Sequence, residues 1–158
     1  LLNGVSLQLD LTPNLPPIEA KRAHIQQIIM NLIINAAESI EDGHGIVLLR
    51  TGLETIRDDQ KRYHFANGRS LSAGPHIFLQ VTDTGCGMSQ KQVAHIFSPF
   101  FTTKPSGRGL GLATVLDVVN LYDGGISVES QPGLGSTFCV FLPLPTHLGA
   151  MPNMTTLH

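Results

Sequence analysis

The sequence predicts an α+β fold: a two-layer α/β sandwich with helices on one face of a mixed, mostly antiparallel sheet. Three observations predict it. Short runs alternate apolar and polar residues, as in VSLQLDL (5–11). One long stretch, 18–40, places apolar residues at three- and four-residue intervals. Strand-like runs also follow one another across loop or turn sequence, at 46–83 and again at 126–143.

The elements follow in order. VSLQLDL is a strand, leading through PNLPP into an extended, proline-held approach. From about Ile18 to Ile40 the residues Ile25, Ile28, Ile29, Leu32, Ile33, Ala36 and Ile40 set a helical period, which EDGHG breaks. IVLLRTGLET (46–55) is a strand. The polar, glycine-bearing stretch 56–74 is read as a long hairpin connection to the next strand, HIFLQVTD (76–83), stopped by TGCGM. SQKQVAHIF (89–97) makes a short helix capped by Ser89. The stretch 98–109, rich in Gly, Pro, Ser and Thr, is a loop. LGLATVLDVVNLY (110–122) is a helix ended by Asp123, Gly124 and Gly125. ISVES (126–130) and STFCVFLP (136–143) form a hairpin around QPGLG.

At 158 residues and 42% hydrophobic composition, the chain suffices for one domain with a real core and is short for two. A single domain over 1–145 with a flexible tail over 146–158 is expected. The net charge of −2, with acids and bases interleaved, offers no basic stripe for nucleic acid and no polybasic patch for a membrane. Cys86 and Cys139 are spaced neither as CxxC nor as a zinc site, so a reduced, cytoplasmic setting is expected. No apolar run reaches the roughly 18 to 20 residues of a membrane span. The opening on Leu1 and Leu2 suggests a piece of a longer protein, soluble or membrane-attached as a whole.

Four stretches can carry chemistry. On the long helix, Gln27, Asn31, Asn35 and Glu38 form one polar stripe beside the apolar face. Buried amides without partners would each cost about 1–3 kcal/mol, so the stripe is either a solvent-facing seam or a ligand site. A carboxamide oxygen suits Mg, a hard cation that shares its ligation with water and phosphate. DTGCGM (83–88) puts the Asp83 carboxylate at a strand end beside Gly85 and Gly87. It is either a tight turn or a wall that a flat ligand approaches closely. With a nucleotide present, a buried carboxylate there would accept from the exocyclic amine of adenine and reject the carbonyl of guanine. GRGLGL (107–112) runs from glycine-rich loop into helix, a junction suited to anions, with Lys104 and Arg108 near it as phosphate-binding or merely solvated cations. Neither GxxxxGK[ST] nor GxGxxG after a strand occurs. IFSPFF (96–101) is core, or the anchor of a mobile lid.

In this order the pieces resemble the ATP-binding catalytic domain of two-component sensor histidine kinases, in the GHKL superfamily that also holds gyrase, the heat-shock chaperone ATPase and mismatch-repair ATPases. NLIINAAESI (31–40) resembles the N box, DTGCGM the first glycine box, IFSPFFTTK the F box, GRGLGL the second glycine box and GLGSTF (133–138) the last glycine motif. The likeness runs from about Val5 to Pro143. It implies the Bergerat ATP-binding fold, with ATP and Mg as cofactors. Asn35 would coordinate Mg and Asn31 would face the phosphates; with Lys104 as a candidate γ-phosphate contact, these form the implied catalytic set. Asp83 would hold the adenine amine, with Gly85 and Gly87 shaping the wall. Residues from about Pro99 to Arg108 would form the ATP lid, and Phe100, Thr102, Thr103, Arg108 and Leu110 join the implied nucleotide contacts. So do Gly109, Gly111, Leu112 and, from the last motif, Thr137.

Hydrolysing members of the superfamily carry a glutamate one turn before the metal asparagine, where this chain has Asn31. A carboxamide cannot take a proton from water, so the resemblance implies a site that holds ATP for an external nucleophile. That nucleophile would be a histidine on a separate dimerisation and phosphoacceptor domain, which in turn serves a response regulator receiver domain. None of the seven histidines here has the acceptor signature, and each is read as a surface or packing residue. The fragment alone is expected to be monomeric. An ATPase, a protein serine kinase or anti-sigma module, and a non-catalytic nucleotide-sensing module remain the alternatives. Lys21 and His24 stand where an acid and an arginine are expected, and Arg108 where Thr or Ser is common. The connection 56–74 resembles nitrogen-regulation and PAS-linked kinases.

Overall fold

The computed structural model describes residues 4–57, 68, 70–98, 101 and 111–145. Within them a five-stranded sheet runs in the order β1-β2-β3-β5-β4, built from β1 (Val5–Leu11), β2 (Gly45–Ile56), β3 (Gly74–Asp83), β4 (Gly125–Gln131) and β5 (Gly135–Pro143). β1 pairs parallel to β2, because a helical crossover separates them, and every other pairing is antiparallel. The mixed, mostly antiparallel sheet expected from the sequence is therefore present. The proposed tail 146–158 and most of the connection 56–74 lie outside the described residues.

The helices are α1 (Arg22–Glu38), α2 (Gln90–Val93) and α3 (Gly111–Leu121). α1 starts four residues later than the periodicity predicts. Lys21 is still extended (φ −69°, ψ 132°) and offers no side-chain cap, and its amide donates to the Tyr122 hydroxyl instead of entering a helical turn. α2 is shorter than expected. Its start is firm: the Ser89 hydroxyl accepts from the Gln92 amide at 3.2 Å and the Gln92 side chain accepts from the Ser89 amide at 2.9 Å, a capping box. Its end at Val93 is followed by turns rather than a further helical turn.

One core lies between the helices and one face of the sheet. Ile28, Leu32 and Ala36 of α1 and Val115, Val118 and Val119 of α3 meet Val47, Leu49, Leu79, Val81, Phe138 and Val140. Strand alternation then fixes which neighbours share that face. In register, Val47 pairs with Asp83 and Asp83 with Ser136, so this carboxylate and this hydroxyl point to the helix side. The core-side face of the edge strand β1 stays open, with Leu9 and Leu11 more than half exposed.

Candidate nucleotide site

Asp83 ends β3 as the last residue of an apolar face, which makes it a buried carboxylate, 3% exposed. Its Oδ1 accepts the Gly85 amide at 2.9 Å and the Ser136 amide at 3.2 Å, and Oδ2 is likewise buried. The first bond is the local turn that aspartate favours two residues on. The second ties the first glycine box to the last.

The glycines of that box make room for neighbouring chain. A Cβ on Gly85 would strike the hydroxyl of Ser39 and come 2.6 Å from its carbonyl, where α1 ends and the Cys86 amide donates to Ser39 O at 3.0 Å. Gly87 has φ +68°, and a Cβ there would collide with the carbonyl oxygen of Gln131. Backbone thus packs on backbone at the junction of β3, α1 and the β4–β5 turn, and the Gly133 amide closes it by donating to Cys86 O at 2.7 Å.

On α1 the polar stripe is exposed at Gln27 and Glu38 and half-buried at Asn31 and Asn35. Asn31, one of the two middle members, has a protein partner. The Asn31 Nδ2 donates to the carbonyl of Gly111, the first residue of α3, at 3.2 Å. The N box and the second glycine box are therefore in contact, although 80 residues apart in sequence. Leu112, Met88, Phe97 and Phe101 each pack against the core. Phe100, Thr102, Thr103, Lys104, Arg108, Gly109 and Leu110 lie outside the described residues.

Thr137 lies one position out of register with Asp83. Its hydroxyl sits 3.1 Å from that of Thr82, and both residues alternate with Asp83 and Ser136, so they point to the sheet face away from the helices. The residue beside the carboxylate is Ser136, 6% exposed. Its hydroxyl lies 2.8 Å from that of Ser130, which also accepts the Met88 amide at 2.8 Å. Sequence reasoning missed Ser136 and Ser130. The signal was available in the parity of GSTF, where Ser136 and Phe138 must share a face. Asp83, Ser130 and Ser136, together with Thr82 and Thr137, border a cavity of about 620 Å³ along the β4–β5 end.

Two histidines hold structural positions. His24, at the place of an expected arginine, has Nδ1 2.7 Å from the Tyr122 hydroxyl, and the same hydroxyl accepts the Lys21 amide at 2.9 Å. This clamps the start of α1 to the end of α3. His76 is 1% exposed, its Nδ1 3.0 Å from the Gly74 carbonyl. Both cysteines are free.

The donor set fits a nucleotide and a hard cation. Buried carboxylate suits an exocyclic amine, and carboxamide oxygen suits Mg shared with phosphate. Among the described residues no cluster of three His, Cys, Asp or Glu side chains stands ready for a metal, and no helix is long and apolar enough to cross a membrane.

Comparison with known proteins agrees with this geometry. The sensor histidine kinase ZraS of Escherichia coli K12 is 35% identical over 144 residues, covering 90% of this chain and 27% of ZraS. The chain thus spans about a quarter of that relative. Full-length ShkA, solved in complex with AMPPNP, superposes with a TM-score of 0.67 at 27% identity, over 89% of this chain and 26% of ShkA. The mycobacterial sensor histidine kinase MprB superposes at 0.65 with 26% identity, over 90% of this chain and 85% of that one. The α+β sheet and its covering helices are those of histidine kinase catalytic domains. Residues 20–146 match the family described as histidine kinase-, DNA gyrase B- and HSP90-like ATPase, and the chain belongs to that family.

Proposed function

We propose that this chain binds Mg-ATP and passes the γ-phosphoryl group to a histidine on a separate phosphoacceptor domain, the catalytic step of two-component signalling. One observation carries the reading. The buried Asp83 carboxylate and the Asn31–Asn35 turn lie on the same side of the sheet, with the first residue of α3 bonded to Asn31. The kinase names of the relatives and the nucleotide in ShkA support it.

In this reading Asp83 accepts from the adenine amine, its Oδ1 held still by two backbone amides. Asn35 offers its carboxamide oxygen to Mg, which when bound neutralises charge on the phosphates. Lys104 contacts the γ-phosphate, and the glycine-rich start of α3 supplies backbone amides. The partners are the histidine-bearing dimerisation domain and, through it, a receiver domain, in the cytoplasm. An ATPase of the same fold is disfavoured because position 31 carries a carboxamide, already donating to Gly111 O, and has no base for water.

Calorimetric titration tests this. Mg-ADP binds the intact chain, GDP binds at least about tenfold more weakly, Asp83→Ala abolishes the preference, and Asn35→Ala loses the dependence on Mg. No ADP binding by the intact chain would overturn the reading.

A further inference from the structure

Ser130 lies on β4 directly opposite Ser136 on β5. Three polar groups crowd its oxygen. The Met88 amide is 2.8 Å away, the Ser136 hydroxyl 2.8 Å and the Gly135 carbonyl 3.2 Å. A serine hydroxyl has one proton to give and two lone pairs to offer. The Met88 amide can only donate, and the Gly135 carbonyl can only accept. All three contacts become hydrogen bonds in one arrangement alone: Ser130 donates to Gly135 O and accepts from both Met88 N and the Ser136 hydroxyl. Reversing the Ser130–Ser136 bond would turn lone pair toward lone pair at Gly135 O and release the Ser136 proton toward its other neighbours.

The direction of that proton matters because Ser136 adjoins Asp83, to whose Oδ1 its own amide donates. With its proton given to Ser130, the Ser136 hydroxyl presents lone pairs only. Asp83 and Ser136 line one cavity, and a carboxylate with an acceptor hydroxyl suits an amino group and not a ring carbonyl. We infer that Ser130 is a positioning residue: it fixes the Ser136 hydroxyl as an acceptor beside Asp83 and so sharpens the choice of a 6-amino over a 6-oxo purine ring. The inference rests on the nucleotide reading above and deepens it.

ADP and IDP differ at that ring position, amine against carbonyl, and calorimetry with both reads the choice. Ser130→Ala lowers the ADP-to-IDP affinity ratio about fivefold, the worth of one net hydrogen bond. Ser130→Thr, which keeps the hydroxyl, retains the ratio. Ser136→Ala lowers it to the same extent, and the double variant goes no lower than either single one. Equal weakening of both nucleotides in Ser130→Ala, or additive effects of the two alanines, would overturn the positioning role. Hydrogen exchange at the Met88 amide, measured without nucleotide, separates this from failure of the function itself. Protection lost in Ser130→Ala, with no nucleotide bound by the intact chain, sinks the nucleotide reading; protection unchanged in Ser130→Ala sinks the positioning role.

Discussion

Cys139 and Cys86 are chemically unlike. Cys139 sits on the sheet face away from the helices, paired with Gln80 and Ser127. Burial, then Glu54 and Glu129, push its thiol up from 9.0 to about 12, and Arg50 only partly offsets them. The thiolate is the nucleophile, so near neutral pH a disulfide-exchange reagent titrates one exposed thiol, Cys86, and reaches Cys139 only on unfolding. Because the folded pKa is the raised one, the folded state holds its proton where the unfolded state has lost it. The associated stability is complete below pH 9 and drains away as pH climbs toward about 12. Urea melts below and above pH 9 should show that loss, and Cys139→Ala should lessen it; a pH-independent midpoint difference between the two proteins would contradict the assignment. The same two-residue alternation that puts Cys139 on the open face explains Thr137. The GLGSTF motif marks the strand that meets Asp83, but its two adjacent hydroxyls look equivalent until the register sets Ser136 opposite the carboxylate.

Motifs distant in sequence interlock at the level of elements, and glycine makes the approach possible. Gly133 has φ +79° with no atom within 4 Å of an added Cβ, whereas Gly87 has φ +68° and faces the Gln131 carbonyl. Gly133→Ala should therefore cost about 1 kcal/mol from backbone strain alone. Gly87→Ala adds a backbone collision and should cost at least about 2–3 kcal/mol, read from urea midpoints. Equal costs would show that the turn yields and that the interlock does not bear on the fold. The sequence announced these glycines through their motifs, yet a flat ligand and a crossing backbone demand the same residue, so the backbone approach could not be foreseen. Helix boundaries were legible where a side chain enforces them, as at the Ser89–Gln92 capping box. They were not legible where tertiary contact does: α1 begins where Tyr122 takes the Lys21 amide and meets His24.

At the scale of the whole molecule, the question is what a catalytic layer does without its substrate. The strand, helix and motif order sufficed to foresee a sheet with Asp83 at one strand's end and the Asn31–Asn35 turn on the covering helix. In the proposed reading, that architecture holds a nucleotide beside Asp83 and the Asn31–Asn35 turn. It lacks, at position 31, the carboxylate that would let water act as the nucleophile, and one N–H of the Asn31 carboxamide donates to the first residue of α3. In that reading, positioning and electrostatics without a base leave the barrier to hydrolysis high, while an imidazole brought in by another domain would carry its own lone pair. The chain incubated with Mg-ATP should release phosphate no faster than its Asp83→Ala variant. Addition of a histidine-bearing helical acceptor domain should yield acid-labile phosphohistidine, and a serine-bearing acceptor should stay unlabelled. Brisk phosphate release by the chain alone would instead make it an ATPase whose base lies elsewhere, and labelling of the serine acceptor would move it to the serine kinase branch of the same fold.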